Sequence, residues 1–200
     1  PFVTTYSEYA YYADPVWSPD GSYLRVAIPP AQALDEPGAP TTLWNIPVDG
    51  SSATQIGSVV TAPLTAAVYS PDLARIAYLT DPTPGSGLFD LYIAAADGSD
   101  ANRYTNAAGR FGGWLPSALR FVYYHSGAEA PLLGTVEAMA VPLSDAAVVI
   151  EVKFLPDGRT VFLARNGANW ELRLAAPAAP STVLAAFPAG DFLPTYDVLR

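Results

Sequence analysis

Pro15-Val16-Trp17-Ser18-Pro19-Asp20-Gly21 is the stretch on which the reading of this chain turns. Pro19 suits the second position of a tight turn because its ring fixes φ, and it cannot donate to a sheet ladder. Gly21 is free to take a positive φ, and the Asp20 carboxylate can bond the backbone two residues on. Such a turn predicts a strand on either side. The run Tyr23 to Ile28, which follows at once, has strand composition.

The design recurs along the chain. Pro71, Pro116 and Pro156 each stand two positions after an aromatic residue, Tyr69, Trp114 and Phe154, as Pro19 stands after Trp17. Successive prolines are 52, 45 and 40 residues apart, which is the length of one propeller blade. Five positions beyond them stand Leu24, Ile76, Phe121 and Val161. Leu155-Pro156-Asp157-Gly158 keeps the turn glycine; Ser70-Pro71-Asp72-Leu73 and Leu115-Pro116-Ser117-Ala118 lose it.

The turns predict second strands at Tyr23 to Ile28, Arg75 to Thr80, Arg120 to Tyr124 and Thr160 to Ala164. Third strands are predicted at Thr42 to Val48, Leu88 to Ala95, Val136 to Leu143 and Trp170 to Ala175. Asp49-Gly50 and Asp97-Gly98 then close hairpins, with Asp145 and Pro177 filling the same place less well. Short fourth strands fall around Ile56, Tyr104 and Leu184. The corresponding Val152 lies in the next inner strand, so the third unit is expected to have lost or shortened its outer edge.

The expected fold is therefore all-β: a β-propeller of four-stranded antiparallel blades over about 14–57, 66–105, 111–150 and 151–185, with 186–200 a closing strand or the start of a further blade. A β-sandwich also turns every ~8 to 12 residues, but it does not require a recurring aromatic, proline and apolar triplet. The Ala-rich stretches Ile93 to Ala96 and Leu174 to Ala179 are cut too short for helices.

Composition narrows the function classes. Half of the 200 residues are hydrophobic and 14% are charged, which fits a folded chain, and 20 prolines and 15 glycines punctuate many short elements. Ten Lys and Arg against 19 Asp and Glu give a formal charge of -9, which repels phosphate backbones; nucleic acid is not an expected partner. No apolar run reaches the ~18 to 20 residues that span a bilayer, so no membrane insertion is expected within this chain. With no Cys and a single His, thiolate chemistry and the common nucleophile–base pairs cannot be assembled. The first residue is Pro1, with no initiator Met, which suggests a processed protein or an excised piece.

Trp17-Ser18-Pro19-Asp20-Gly21, then Leu43-Trp44-Asn45-Ile46 before Asp49-Gly50, and Asp90-Leu91-Tyr92-Ile93 before Asp97-Gly98, resemble the repeat of TolB-like propellers. The resemblance covers most of the chain. It implies a fold found in periplasmic scaffold proteins, in propeller domains of prolyl-oligopeptidase-like peptidases and in secreted or lipid-anchored proteins. It implies no particular activity. Such propellers usually close with more blades than 200 residues supply, so closure by the flanking segments or a missing remainder is expected.

Antiparallel connectivity puts the proline and Asp-Gly turns at one end of each blade and the long segments Pro29 to Pro40, Asp81 to Gly87 and His125 to Gly134 at the other. Loops on a rigid scaffold carry recognition, so this end is the expected binding face, with Asp35, Glu36, Asp81, His125 and Glu129 as candidate residues. Each has a plainer explanation as solvated loop charge or, for His125, an exposed ring. The tyrosines Tyr6, Tyr9, Tyr11 and Tyr12 could grip a ligand, although alternating aromatics are more often packing.

Asp97-Gly98-Ser99-Asp100 lacks the alternating ligands and closing Glu of a calcium loop and reads as a hairpin turn. Catalytic motifs, a metal site and a cofactor fingerprint are absent from the sequence. The expectation is a non-enzymatic, extracytoplasmic binding or scaffold domain with a protein or peptide partner. The alternative is the propeller part of a larger peptidase or glycan-acting enzyme.

Overall fold

The computed structural model describes residues 15–30, 38–116, 119–128, 131–136, 138–142, 148–176, 180–190 and 196. The described residues contain no helix long and apolar enough to cross a membrane. Four antiparallel blades follow one another along the chain, the second and third of them joined through a shared strand into a single seven-stranded sheet. The first contains β1 (Val16–Trp17), β2 (Tyr23–Ile28), β3 (Thr41–Pro47) and β4 (Thr54–Val59), paired in that order. The second contains β5 (Val68–Tyr69), β6 (Arg75–Thr80), β7 (Phe89–Ala95) and the outer half of β8 (Asn102–Trp114). The inner half of β8, then β9 (Arg120–His125), β10 (Pro131–Thr135) and β11 (Ala138–Pro142), make the third. The fourth is β12 (Val149–Phe154), β13 (Thr160–Asn166), β14 (Asn169–Ala175) and β15 (Thr182–Pro188).

The third blade's outer strand, Ala138–Pro142, is retained but shortened, with five residues against six in β4 and seven in β15. One expectation about this blade is corrected: its third strand is Pro131–Thr135, not Val136 to Leu143. The cause is Gly134, which reads as a loop residue but sits inside a strand directly opposite Phe121, whose ring lies over it. Pro131 is tolerated because it opens the strand. The second blade's outer strand also runs on, without a loop, as the third blade's inner strand, with Ala108 paired to both Phe89 and His125.

Alternation along each strand divides its residues between two neighbouring blades. Ile76, Tyr78 and Ala94 join Ala27, Leu43 and Val59 of the first blade, whereas Ala77, Leu79, Leu91 and Ile93 join Phe121 and Tyr123 of the third. Leu115, Val122, Tyr124 and Leu133 meet Phe154 of the fourth. The aromatics before the prolines therefore share one environment: Tyr69 and Trp114 are 4% and 8% exposed in the gap to the preceding blade, and Phe154 packs in the same place. The Trp114 indole donates to the Val68 carbonyl at 2.9 Å, tying one blade's inner strand to the next. Trp17 is 59% exposed, because no described sheet precedes the first.

The proline turns share one hydrogen bond. The amides of Ser18, Ser70, Leu115 and Leu155 donate to the carbonyls of Tyr23, Arg75, Arg120 and Arg159, at 2.8 to 3.0 Å. In the fourth blade the turn is one residue shorter, so Phe154 pairs with Thr160 where Tyr69 pairs with Ile76. Ser18 and Ser70 are buried, donate to Asp20 and Asp72, and accept the amides of Tyr23 and Arg75.

Leu73 takes the place of Gly21 and holds φ at 58°, a left-handed conformation that costs an L-residue about 1 to 2 kcal/mol. It is retained because the side chain is 3% exposed, in the core between the first two blades. Leu73→Ala should destabilise by about 3 kcal/mol. Leu73→Gly loses the same contacts but relieves the backbone, and should cost about 1 kcal/mol less. Urea unfolding of the two variants checks the order, which is the reverse of the usual strand preference for Ala over Gly.

Hydrogen bonds from Ser18 and Ser22 hold the exposed Asp20 carboxyl down to about 2. Asp49 and Asp97 are lowered by Ser51 and Ser99 in the same way, and Asp157 by Arg159. A carboxyl with a depressed native pKa contributes stability that is present above its unfolded value, near 3.8, and is lost as pH falls through the native one. The melting temperature should therefore drop between about pH 4 and pH 2, and Asp20→Asn with Asp97→Asn should flatten that drop.

Candidate functional site

The repeat supplies its own control for locating a site. Between the first and second blades the gap is shut. A Cβ on Gly57 of β4 would lie 1.8 Å from the Asp97 carbonyl oxygen, and one on Gly98 would lie 2.7 Å from the Ser58 oxygen, so strand and turn touch backbone to backbone. Between the second and third blades the corresponding gap is an open groove of roughly 900 Å³. The third blade's turn is tighter: β11 begins at Ala138 directly after β10 ends at Thr135, whereas β8 begins well after Ala95, the end of β7.

One wall of the groove comes from the second blade. Arg75 lies on the same face as Ala77 and Leu79, Asn102 faces it across from Ile93, and Thr105 lies opposite Leu91. The other wall carries Tyr123, His125, Leu132 and Val136 of the third blade. Tyr104 packs edge-on against Phe121 and Tyr123, at 4.9 and 5.7 Å between ring centroids. The half-buried His125 ring lies 5.7 Å from that of Tyr123. Burial pushes both tyrosine hydroxyls up; for Tyr104 a hydrogen bond with the Thr135 backbone opposes this, and for Tyr123 the neighbouring Tyr104 adds to it. Both therefore stand neutral at pH 7, as hydrogen-bonding groups on an aromatic surface.

Charge in the groove is unevenly committed. Arg103 lies 3.4 Å from the carboxylate of the buried Asp90. Asp100 lines the turn end, its carbonyl accepting from the Asn102 amide at 2.9 Å. Arg75 has no ion pair among the described residues.

Of the residues proposed from sequence, Asp35, Glu36 and Glu129 lie outside the described residues, as do Tyr6, Tyr9, Tyr11 and Tyr12. Asp81 and His125 are described and lie at the same end of their blades. Asp81 accepts the Thr83 amide at 3.2 Å, an ordinary turn contact. Its loop is tied to the third blade by Ser126, next to His125, whose hydroxyl donates to the Gly87 carbonyl at 2.8 Å. His125 is part of the groove; Asp81 is not among its lining residues. Arg75, Asn102, Tyr104 and Tyr123 were not proposed from sequence as binding residues, because the sequence marks them only as strand or strand-flanking positions. Strand alternation was the available signal, since it puts Arg75 and Tyr123 on facing sheets.

Away from the groove, the Tyr69 hydroxyl and the Arg25 guanidinium are buried side by side between the first two blades. Burial pushes Tyr69 up to about 12, the Arg25 charge partly opposing.

No family model and no curated protein sequence matches this chain. Solved structures do. The acylaminoacyl peptidase of Pyrococcus horikoshii superposes with a TM-score of 0.58 at 12% identity, over 86% of this chain and 31% of that one. The β-propeller domain of the trilobed protease from Pyrococcus furiosus, described as having an open velcro topology, gives 0.53 at 13% identity, over 88% and 53%. An oligogalacturonate lyase from Vibrio parahaemolyticus gives 0.55 at 13% identity, over 89% and 55%. The chain thus spans about a third to a half of the proteins it resembles. At these identities the likeness speaks for the fold alone. With its antiparallel sheets of four, seven and four strands, the middle one making two blades, this chain is a β-propeller built of four-stranded blades.

Proposed function

We propose that this chain is a non-enzymatic β-propeller binding domain that acts outside the cytoplasm and takes a protein or peptide ligand into the groove between its second and third blades. The observation that carries the reading is the departure from repeat symmetry: one interblade gap is closed by backbone contact at Gly57, and the next is open and walled by Tyr104, Tyr123 and His125. An open, partly aromatic cleft on a rigid scaffold is the usual form of a ligand site. The single histidine and the absence of cysteine weigh against catalysis within the chain.

A second reading is favoured by the coverage figures. A chain that matches 31% of a peptidase and 55% of a lyase can serve as the propeller part of a larger enzyme, with the catalytic part elsewhere. In that case the same groove would hold a substrate segment or a neighbouring domain.

The test is to incubate the purified chain with peptide and glycan panels, scoring retention and product release together. Reversible binding, with the ligand recovered intact and lost on His125→Ala with Thr105→Trp, is the expected outcome. Turnover of a peptide or glycan that disappears on Asp81→Asn or Asp100→Asn would overturn it.

A further inference from the structure

We propose that the open groove is built for a peptide segment presenting a single acidic side chain among apolar ones, with Arg75 as its charge partner; this rests on the binding reading above. Arg75 opens β6 and shares a face with Ala77 and Leu79, so its side chain is directed into the gap toward the third blade. It is partly buried there and has no carboxylate partner among the described residues. The other cation of the lining, Arg103, is already engaged by Asp90. A planar carboxylate is the group that fits the fork of donors of a partly buried guanidinium such as that of Arg75.

Three observations narrow the ligand further. The chain carries a formal charge of -9, and Asp100 lines the same groove, so a polyanion is repelled while one carboxylate is accommodated. Ile93, Leu132 and Val136 line the walls beside the tyrosines, and aliphatic walls take apolar side chains rather than sugar hydroxyls. Both walls are sheet faces, with β7 paired to β8 and β9 to β10, so they offer no free strand edge and recognition runs through side chains.

The experiment is a display selection of random short peptides against the whole chain, followed by fluorescence polarisation with synthetic copies of the enriched sequences. Enriched peptides should carry Asp or Glu beside Leu, Ile, Phe or Tyr. Changing that acid to its amide, or Arg75→Gln, should each weaken binding about tenfold, with no further loss when combined, and Arg75→Lys should recover part of it. Asn102→Trp, which fills the groove from an exposed strand position, should abolish binding. Thermal melts check that all three variants fold. Enriched peptides without an acid that are still blocked by Asn102→Trp overturn the carboxylate inference and leave the groove reading standing. Peptides indifferent to Asn102→Trp, or no enrichment at all, overturn both.

Discussion

Gly57→Ala should destabilise the protein by about 3 kcal/mol, although it adds one methyl group to a partly exposed strand. The new Cβ would stand 1.8 Å from the Asp97 carbonyl oxygen, 2.8 Å from its carbon and 3.3 Å from its Cα. A side-chain neighbour could rotate away, but backbone cannot. The contact is doubled by Gly98, whose added Cβ would meet the Ser58 oxygen at 2.7 Å and a Val59 methyl at 2.9 Å. The substitution must therefore lift the second blade's turn off β4 and open the core that holds Leu43, Tyr69 and Ile76. Urea denaturation measures the loss. Gly190→Ala is the control: nothing lies within 4 Å of its added Cβ, so it should change stability by less than about 0.5 kcal/mol.

Phe121→Ala should cost about 4 kcal/mol, the middle of the range for emptying a buried aromatic site. The ring is fully buried at the junction of the second and third blades and is met by Tyr104 at 4.9 Å, Trp114 at 5.4 Å and Phe111 at 5.7 Å between centroids. The Tyr104 and Trp114 contacts are edge-to-face, and such pairs add stabilisation beyond area burial. Phe121 also covers Gly134, where an added Cβ would come within 2.4 Å of the ring. Gly134→Ala alone should thus be destabilising. Combined with Phe121→Ala it should cost less than the sum, since the methyl then occupies vacated space. Calorimetric melts of the two single variants and the double variant test the coupling.

What sequence made legible is the repeat, because its signals are local. A proline two residues after an aromatic identifies each turn, three of them with an aspartate following, and each of the four carries an amide-to-carbonyl bond across it. The recurrence of the aromatic marks one position of the blade, and Tyr69, Trp114 and Phe154 pack there between blades, whereas Trp17 is exposed. The third blade was misread because Gly134 and Pro131 are breakers by composition, while both are strand residues for reasons set elsewhere in the fold: a ring opposite one and a strand start at the other. The groove was illegible for a related reason. It exists because one gap is filled and its neighbour is not, a difference fixed by the approach of Asp97 to Gly57 across 40 residues of chain. Of the loop residues proposed from sequence, His125 lines it, whereas Arg75 and Tyr123 needed strand alternation to be seen.

The continuous strand β8 has a consequence for how the cleft behaves. Its outer half belongs to one wall and its inner half to the other, and it turns from one ladder to the next at the fully buried Ala108, where Gly109 lets it pass the end of β9. The walls are therefore joined by a pleated ribbon already committed on both sides, and no slack segment lies between them to serve as a hinge. A guest arriving there meets a mould rather than a pair of jaws, and the ordering cost of shaping the site has been met during folding.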